Sequence, residues 1–303
     1  MADKTQLNKA LNNGNATVLN RGIAPNQGRS SGNSTVLNPH VASKDSIMEG
    51  TLLCNKYRVV EKMPVATGEA DLYVCAFSNK KYVAKVYRRT ASIKAEVTQQ
   101  LKKLKSPYVA TVYEIGEHRG ATIEILPFYS RGSLSGKTFS YEQLRSSIIP
   151  CLNEGLKALH DAKIIHKDLK PSNIMVTDDQ QSVAIIDFGI SSVTEAGSTV
   201  IVTQTGMTPE YSAPETFKGL YSTHADYYSL GITLYELFCG KPPYGNMPAE
   251  DIEKYIAIQR IPFPKTMPTE LQELIKALTY YDISNRRDKN NPNRRWGYDE
   301  VQK

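Results

Sequence analysis

The stretch "IIHKDLKPSNIMVTDDQQSVAIIDFGI", residues 164–190, gathers the side chains best suited to chemistry. Asp168, Lys170, Asn173 and Asp187 put two carboxylates, an ammonium and an amide close together in the chain. Oxygen donors of this kind ligate hard cations and accept protons. A lysine among them offsets anionic charge. Taken singly the pieces carry little weight, because Asp and Asn also favour turns and a string as short as Asp-Phe-Gly recurs by chance. Their company is more telling. "TPEYSAPE" follows at residues 208–215, and "YVAKVY" supplies Lys85 upstream.

Groups so far apart need elements to bring them together. "LLCNKYRVVEKM", "ADLYVCAF" and "KKYVAKVY" read as strands, the last two separated by the polar turn Ser78-Asn79-Lys80. Ile93, Val97, Leu101 and Leu104 then recur at helical spacing, and Pro107 stops the pattern. "VATVYEIGE" and "GATIEILPFY" predict a second hairpin. Beyond residue 140 the pattern turns helical. "SYEQ" has capping-box spacing and opens a helix with Ile148, Leu152, Leu156 and Leu159 on one face. Pro150 within it predicts a kink or an irregular turn. Thr269 to Gln272 is a second capping box, ahead of a stripe of Leu271, Leu274, Ile275 and Leu278.

Composition narrows the class. The chain has 303 residues, 40% of them hydrophobic, enough for a globular unit of about 250 residues. Its 37 basic and 31 acidic residues give a scattered +6, which demands neither a nucleic-acid nor a membrane surface. Cys54, Cys75, Cys151 and Cys239 form no CxxC pair, against zinc and against a disulfide framework. No apolar run of about 18 residues and no signal peptide is present, so a cytoplasmic location is expected. Residues 1–47 are rich in Asn, Gly, Ser and Thr and are read as a disordered tail. That tail repeats itself: "GNATVLN" at 14–20 returns as "GNSTVLN" at 32–38, with a looser "KTQLN" from Lys4.

The ordered series "HKDLKPSN", "DFG" and "APE" resembles the catalytic core of the protein kinase superfamily, over roughly residues 52–303. The resemblance implies an α+β, bilobal protein kinase fold across 48–303. A small β-rich N-lobe with one helix would span about 48–126, and a larger helical C-lobe about 130–303. It also implies roles. Asp168 would orient a substrate hydroxyl and accept its proton, and Lys170 would steady the γ-phosphate. Asn173 and Asp187 would hold Mg²⁺, or Mn²⁺ in its place, and ATP would be the phosphoryl donor. Lys85 would be the ATP lysine, with Glu96, the acidic residue on the following helix, as its partner.

Two departures accompany that pairing. The usual V-A-x-K has lost a residue, so Val83 rather than Ala84 should roof the adenine. Glu96 to Pro107 is one residue longer than the family norm, which leaves Gln100 where a leucine is expected. The phosphate-covering loop, "PVATGEADLYV", has a single glycine, Gly68, and aligning Leu72 with the motif valine puts Val65, Thr67 and Ala70 where the three motif glycines would stand. Val65, Gly68, Leu72, Leu126 at the gatekeeper position, Phe128 of the hinge and Met175 complete the implied nucleotide site.

In the helical lobe, Asp226 would anchor the catalytic loop and Glu215 would pair with a late arginine. Counting back from "DEV" gives Arg295 and counting forward from Asp282 gives Arg286; Arg295 is preferred. Lys170 and Thr208 match a serine/threonine pattern, which implies protein substrates. Lys167 stands where an arginine is usual. Thr199, Thr203 and Thr205 are activation-segment phosphosite candidates. Thr17 and Thr35 are tail candidates, for autophosphorylation and for a phosphothreonine-reading partner such as a forkhead-associated domain. The lean loops resemble bacterial kinases of the eukaryotic type. A pseudokinase scaffold is the alternative reading.

Overall fold

Alternating apolar residues build the first lobe from one antiparallel sheet. Its strands are β1 (Leu52–Leu53), β2 (Tyr57–Ala66), β3 (Ala70–Phe77), β4 (Lys80–Tyr87), β5 (Glu114–His118) and β6 (Ala121–Pro127), ordered β1-β2-β3-β4-β6-β5. The structure, a computed structural model, describes residues 47–66, 69–88, 94–179, 182–193, 200–201, 208–245, 247–258 and 261–303. Thr17, Thr35 and the rest of the tail lie outside these residues, as do Thr67, Gly68, Ile93, Thr199, Thr203 and Thr205.

The two hairpins expected from the sequence close through left-handed pairs. Ser78 and Asn79 have φ of 48° and 59°, and Arg119 and Gly120 have φ of 50° and 78°. Positive φ at both central residues gives a turn whose twist matches the flanking strands. One sheet face buries Tyr57, Val59, Cys75, Ala84, Val86 and Ile125 in a small-lobe core. Side chains alternate with period two, so the other face presents Leu72, Val83, Lys85, Glu124 and Leu126. These are tied by the register pairs Leu72↔Lys85, Lys85↔Glu124 and Val83↔Leu126. Helix α1 (Ala95–Lys103) turns Val97, Thr98 and Leu101 inward.

The second lobe starts where the sequence marks it. Ser140 Oγ accepts from the Gln143 amide at 3.3 Å, and Gln143 Oε1 accepts from the Ser140 amide at 2.8 Å, opening α2 (Tyr141–Gln143). The irregularity expected from Pro150 is a π-helical segment, Leu144–Ile148, which leads into α3 (Ile149–Asp161). The Ile149 amide reaches back to Leu144 O, bypassing the proline, which has no N–H to contribute. Gly155 lets α3 lie close to its neighbours. A Cβ there would sit 3.0 Å from both Ile185 Cδ1 and Tyr108 O.

Helix α4 (Thr223–Cys239) is buried on almost every side, its polar Asp226, Ser229 and Thr233 included. The lobe is completed by α5 (Ala249–Ile258), α6 (Thr269–Leu278) and α7 (Tyr298–Val301). The second capping box does not form. Pro268 takes the cap position of α6, Thr269 becomes the first helical residue, and the Gln272 amide side chain donates to Met267 O at 2.8 Å. Leu152, Leu156 and Leu159 of α3 and Leu271, Ile275 and Leu278 of α6 meet in one core. A β-rich lobe carrying one helix thus precedes a helical lobe, the bilobal α+β arrangement expected. No helix among the described residues is long and apolar enough to cross a membrane.

Candidate active site

Two short antiparallel strand pairs frame the loop that carries the chemistry. β7 (Ile164–Ile165) pairs with β10 (Ser192–Val193), and β8 (Ile174–Val176) pairs with β9 (Val183–Ile185). Residues 166–173 therefore lie between β7 and β8, while Asp187 lies between β9 and β10. The loop backbone is held from beneath by Asp226, fully buried in the first turn of α4. Its Oδ2 accepts from the His166 amide at 2.9 Å and from His160 Nε2 at 2.8 Å, and its Oδ1 accepts from the Lys167 amide at 2.8 Å. Burial alone would raise the Asp226 pKa. The hydrogen bond and charge of His160, with lesser help from His166 and the Lys167 amide, hold it below the usual carboxylate range. These bonds stabilise Lys167 at φ 73°, a conformation a lysine rarely adopts.

Asp168 sits above that anchor with both oxygens engaged. Oδ1 accepts from Thr208 Oγ1 at 2.7 Å. Oδ2 accepts from Asn173 Nδ2 at 2.9 Å and faces Lys170 Nζ at 2.8 Å. Lys170 Nζ also donates to Thr208 Oγ1 at 2.6 Å, and Asn173 Nδ2 to Asp168 O at 2.8 Å. Three side chains thereby fix one carboxylate. His166 is fully buried beneath it, with Nε2 at 2.9 Å from Ile186 O and Nδ1 accepting the Asp168 amide at 3.2 Å.

Across the cleft, Lys85 Nζ bonds Asp187 Oδ1 at 2.9 Å. Burial would raise the Asp187 pKa, but the charge and hydrogen bond of Lys85 bring it below the usual range. Asp187 adopts φ 64°. Glu69, just before β3, reaches this point too. A Cβ on Gly189 would lie 3.0 Å from Glu69 Oε2 and 3.7 Å from Lys85 Nζ. The oxygens fit a hard cation. Asn173 commits its Nδ2 to Asp168, which leaves its Oδ1 as the oxygen that could ligate such a cation, and Asp187 adds a carboxylate.

Comparison with known proteins decides the family. The protein kinase domain family matches residues 66–291. The chain belongs to the protein kinase family. "Probable serine/threonine-protein kinase fhkC" of Dictyostelium discoideum is 30% identical over 238 residues, 74% of this chain and 40% of that protein. Serine/threonine-protein kinase pkn2 of Myxococcus xanthus is 26% identical over 261 residues, 78% of this chain and 31% of that protein. CBL-interacting serine/threonine-protein kinase 8 of Arabidopsis thaliana is 32% identical over 176 residues, 54% of this chain and 39% of that protein. The chain spans 40% or less of each of these relatives.

The remaining expected residues find their places in this kinase domain. Val83 and Leu72 lie half-buried on the cleft face, while Ala84 is fully buried on the other. Leu126, half-buried, ends the same face. Phe128 follows β6, with Lys81 Nζ 5.5 Å from its ring. Met175 lies on β8, bridged to Ser133, and Val65 lies near the end of β2. Glu215 and Arg295 form a buried bidentate pair at 2.5 and 3.1 Å, while Arg286 Nη1 donates instead to Ile283 O at 3.0 Å.

Glu96 is the exception. It is exposed on α1 and does not meet Lys85, because Val97 and Leu101, four apart, take the buried face. Gln100, where the resemblance places a leucine, is only half-buried, and the inward position is taken by Leu101 beside it. The sequence reading missed Glu124. Its signal was an acid inside the otherwise apolar strand "ATIEILP".

Proposed function

We propose that this kinase domain is active, transferring the γ-phosphoryl group of ATP to Ser and Thr hydroxyls of protein substrates. The observation that carries the reading is the Asp168 carboxylate, held at both oxygens by Thr208, Lys170 and Asn173. Asp168 orients the incoming hydroxyl and accepts its proton as the oxygen bonds the γ-phosphorus and the ADP oxygen departs. Lys170 stands beside that path to offset moving charge. Asn173 and Asp187 would hold Mg²⁺, which would supply charge neutralisation as the phosphoryl group moves. Leu72, Val83, Leu126 and Met175 enclose the adenine, Phe128 and its neighbours bond it through the hinge backbone, and Val65 and Gly68 cover the phosphates. Serine/threonine preference is supported by Lys170 and Thr208 and by the names of the relatives.

Regulation belongs to the same proposal. Thr203 and Thr205, and next Thr199, are the activation-segment hydroxyls whose phosphate Lys167 would receive. Thr17 and Thr35 are autophosphorylated between molecules and then recruit a phosphothreonine-reading, forkhead-associated type of partner. A tethered tail holds its threonines near an active site at about millimolar concentration. The setting is cytoplasmic, and the Myxococcus relative supports a bacterial source. The outward-facing Glu96 and the single Gly68 favour a second reading, a nucleotide-binding scaffold without turnover.

Labelled ATP and a generic protein substrate separate the two. Asp168→Asn is expected to lower kcat by roughly 10²–10⁴-fold; transfer that survives the substitution removes the catalytic reading. Mass spectrometry of the same reactions should find phosphate on Thr203 or Thr205 and on Thr17 and Thr35. Phosphate confined to the activation segment ends the tail hypothesis.

A further inference from the structure

Lys85 is left without the helix carboxylate expected for it, yet a buried carboxylate stands directly across the sheet. Lys85 on β4 and Glu124 on β6 are register partners, so their side chains rise from the same face with Cβ atoms about 5 Å apart. Glu124 is only 6% exposed. A carboxylate is not buried in a strand without compensation, and here each oxygen has a donor. Oε1 accepts from Thr98 Oγ1 at 2.8 Å, and Oε2 accepts from Tyr87 Oη at 2.8 Å. Thr98 belongs to α1 and Tyr87 to β4, so one side chain bolts the helix to the strand that carries Lys85. The Tyr87 ring also lies 5.2 Å from Lys85 Nζ, within reach of a cation–π attraction. Burial, reinforced by Glu124, pushes the Tyr87 phenol far above its ordinary pKa, so it remains a donor.

We propose that Glu124 is the positioning residue for the ATP lysine, performing from β6 the task expected of Glu96 on α1. The proposal rests on the kinase reading above and deepens it. Lys85 now leans on Asp187. When Asp187 serves as a cation ligand, Glu124 is the cross-strand anion that keeps the ammonium in place. Through Thr98 it also sets the distance between α1 and the sheet. The arrangement accounts together for the outward Glu96, the inward Thr98 and the acid in an apolar strand.

The test compares Glu124→Gln, Glu69→Gln and Glu96→Gln in the full chain. It reads kcat and the KM for ATP, the KM for protein substrate, the Kd for a fluorescent ATP analogue, and the melting temperature. Glu124→Gln should lower kcat/KM for ATP by about 10–100-fold and weaken analogue binding about tenfold. The protein-substrate KM should stay unchanged, and Glu96→Gln should match wild type. Should Glu124→Gln fail to fold, Tyr87→Phe withdraws one donor from the carboxylate while keeping its charge. It should show a smaller loss of the same kind. A fall in melting temperature with unaltered ATP parameters overturns the proposal, leaving Glu124 a purely structural residue. So does a loss confined to Glu69→Gln or Glu96→Gln. A wild-type chain that neither binds the analogue nor transfers phosphate defeats the kinase reading instead.

Discussion

Lys167 shows what residue type alone does not disclose. The sequence marks it as a cation in an arginine's place, but not its surroundings. It is 7% exposed, its Nζ has no hydrogen-bond partner among the described residues, and it sits 4.7 Å from the Tyr221 ring. Burial first, and the charge of Lys94 second, push its pKa down to about 8. At pH 7 the ammonium is still charged and destabilises the fold. Lys167→Met should therefore raise stability by about 1–3 kcal/mol in a urea titration at pH 7. The sign follows from the direction of the shift. The cost is fully present below pH 8 and fades between 8 and the unfolded value of 10.5, so the gain should shrink over that range. The same variant should lose any rise in activity on autophosphorylation, since the phosphate would find no cation there. By contrast, Asp168, Lys170, Asn173 and Asp187 were legible because their types and spacing carry the information themselves.

Elements were legible where a local signal went unopposed. The Ser140–Gln143 box forms because nothing competes for the cap, whereas Pro268 displaces Thr269 at the start of α6. Helix α1 is legible from its apolar period, but which neighbours of the apolar stripe turn inward is not: Thr98 is buried beside Val97 and Leu101, while Glu96 is exposed. The late arginine shows the same difficulty. Counting from two ends of an insertion gives two answers, and only packing brings Arg295 against Glu215. That pair joins the end of the activation segment to the loop before α7. Arg295→Met should cost about 3–5 kcal/mol by stranding a buried carboxylate. Arg286→Met should cost under about 1 kcal/mol. A denaturant series on both variants decides the matter, and equal losses would show that the pair does not carry this junction.

At the scale of the whole molecule, the bilobal plan was readable from a run of strands followed by a run of helices, but its acid stability was not. His224 sits near Arg295 and Arg286. Burial, then the charge of these arginines, pushes its pKa down to about 4. Between pH 6.5 and 4 the unfolded chain binds a proton that the folded chain refuses, so stability falls as pH drops through that window, by up to about 3 kcal/mol. Asp187 and Asp226, whose pKa values are lowered, act only below the ordinary carboxylate value of 3.8. Melting temperatures recorded against pH should thus flatten between 6.5 and 4 in His224→Gln, and an unaltered slope would assign the acid sensitivity elsewhere. The alternation of the sheet constrains the domain over a longer time. Leu72, Val83, Lys85, Glu124 and Leu126 share the cleft only because each strand counts in twos. A one-residue insertion or deletion inside β4 or β6 would turn Lys85 or Glu124 into the small-lobe core. Length changes must therefore be absorbed by connections such as the stretch before Pro107, while the strands themselves change by substitution.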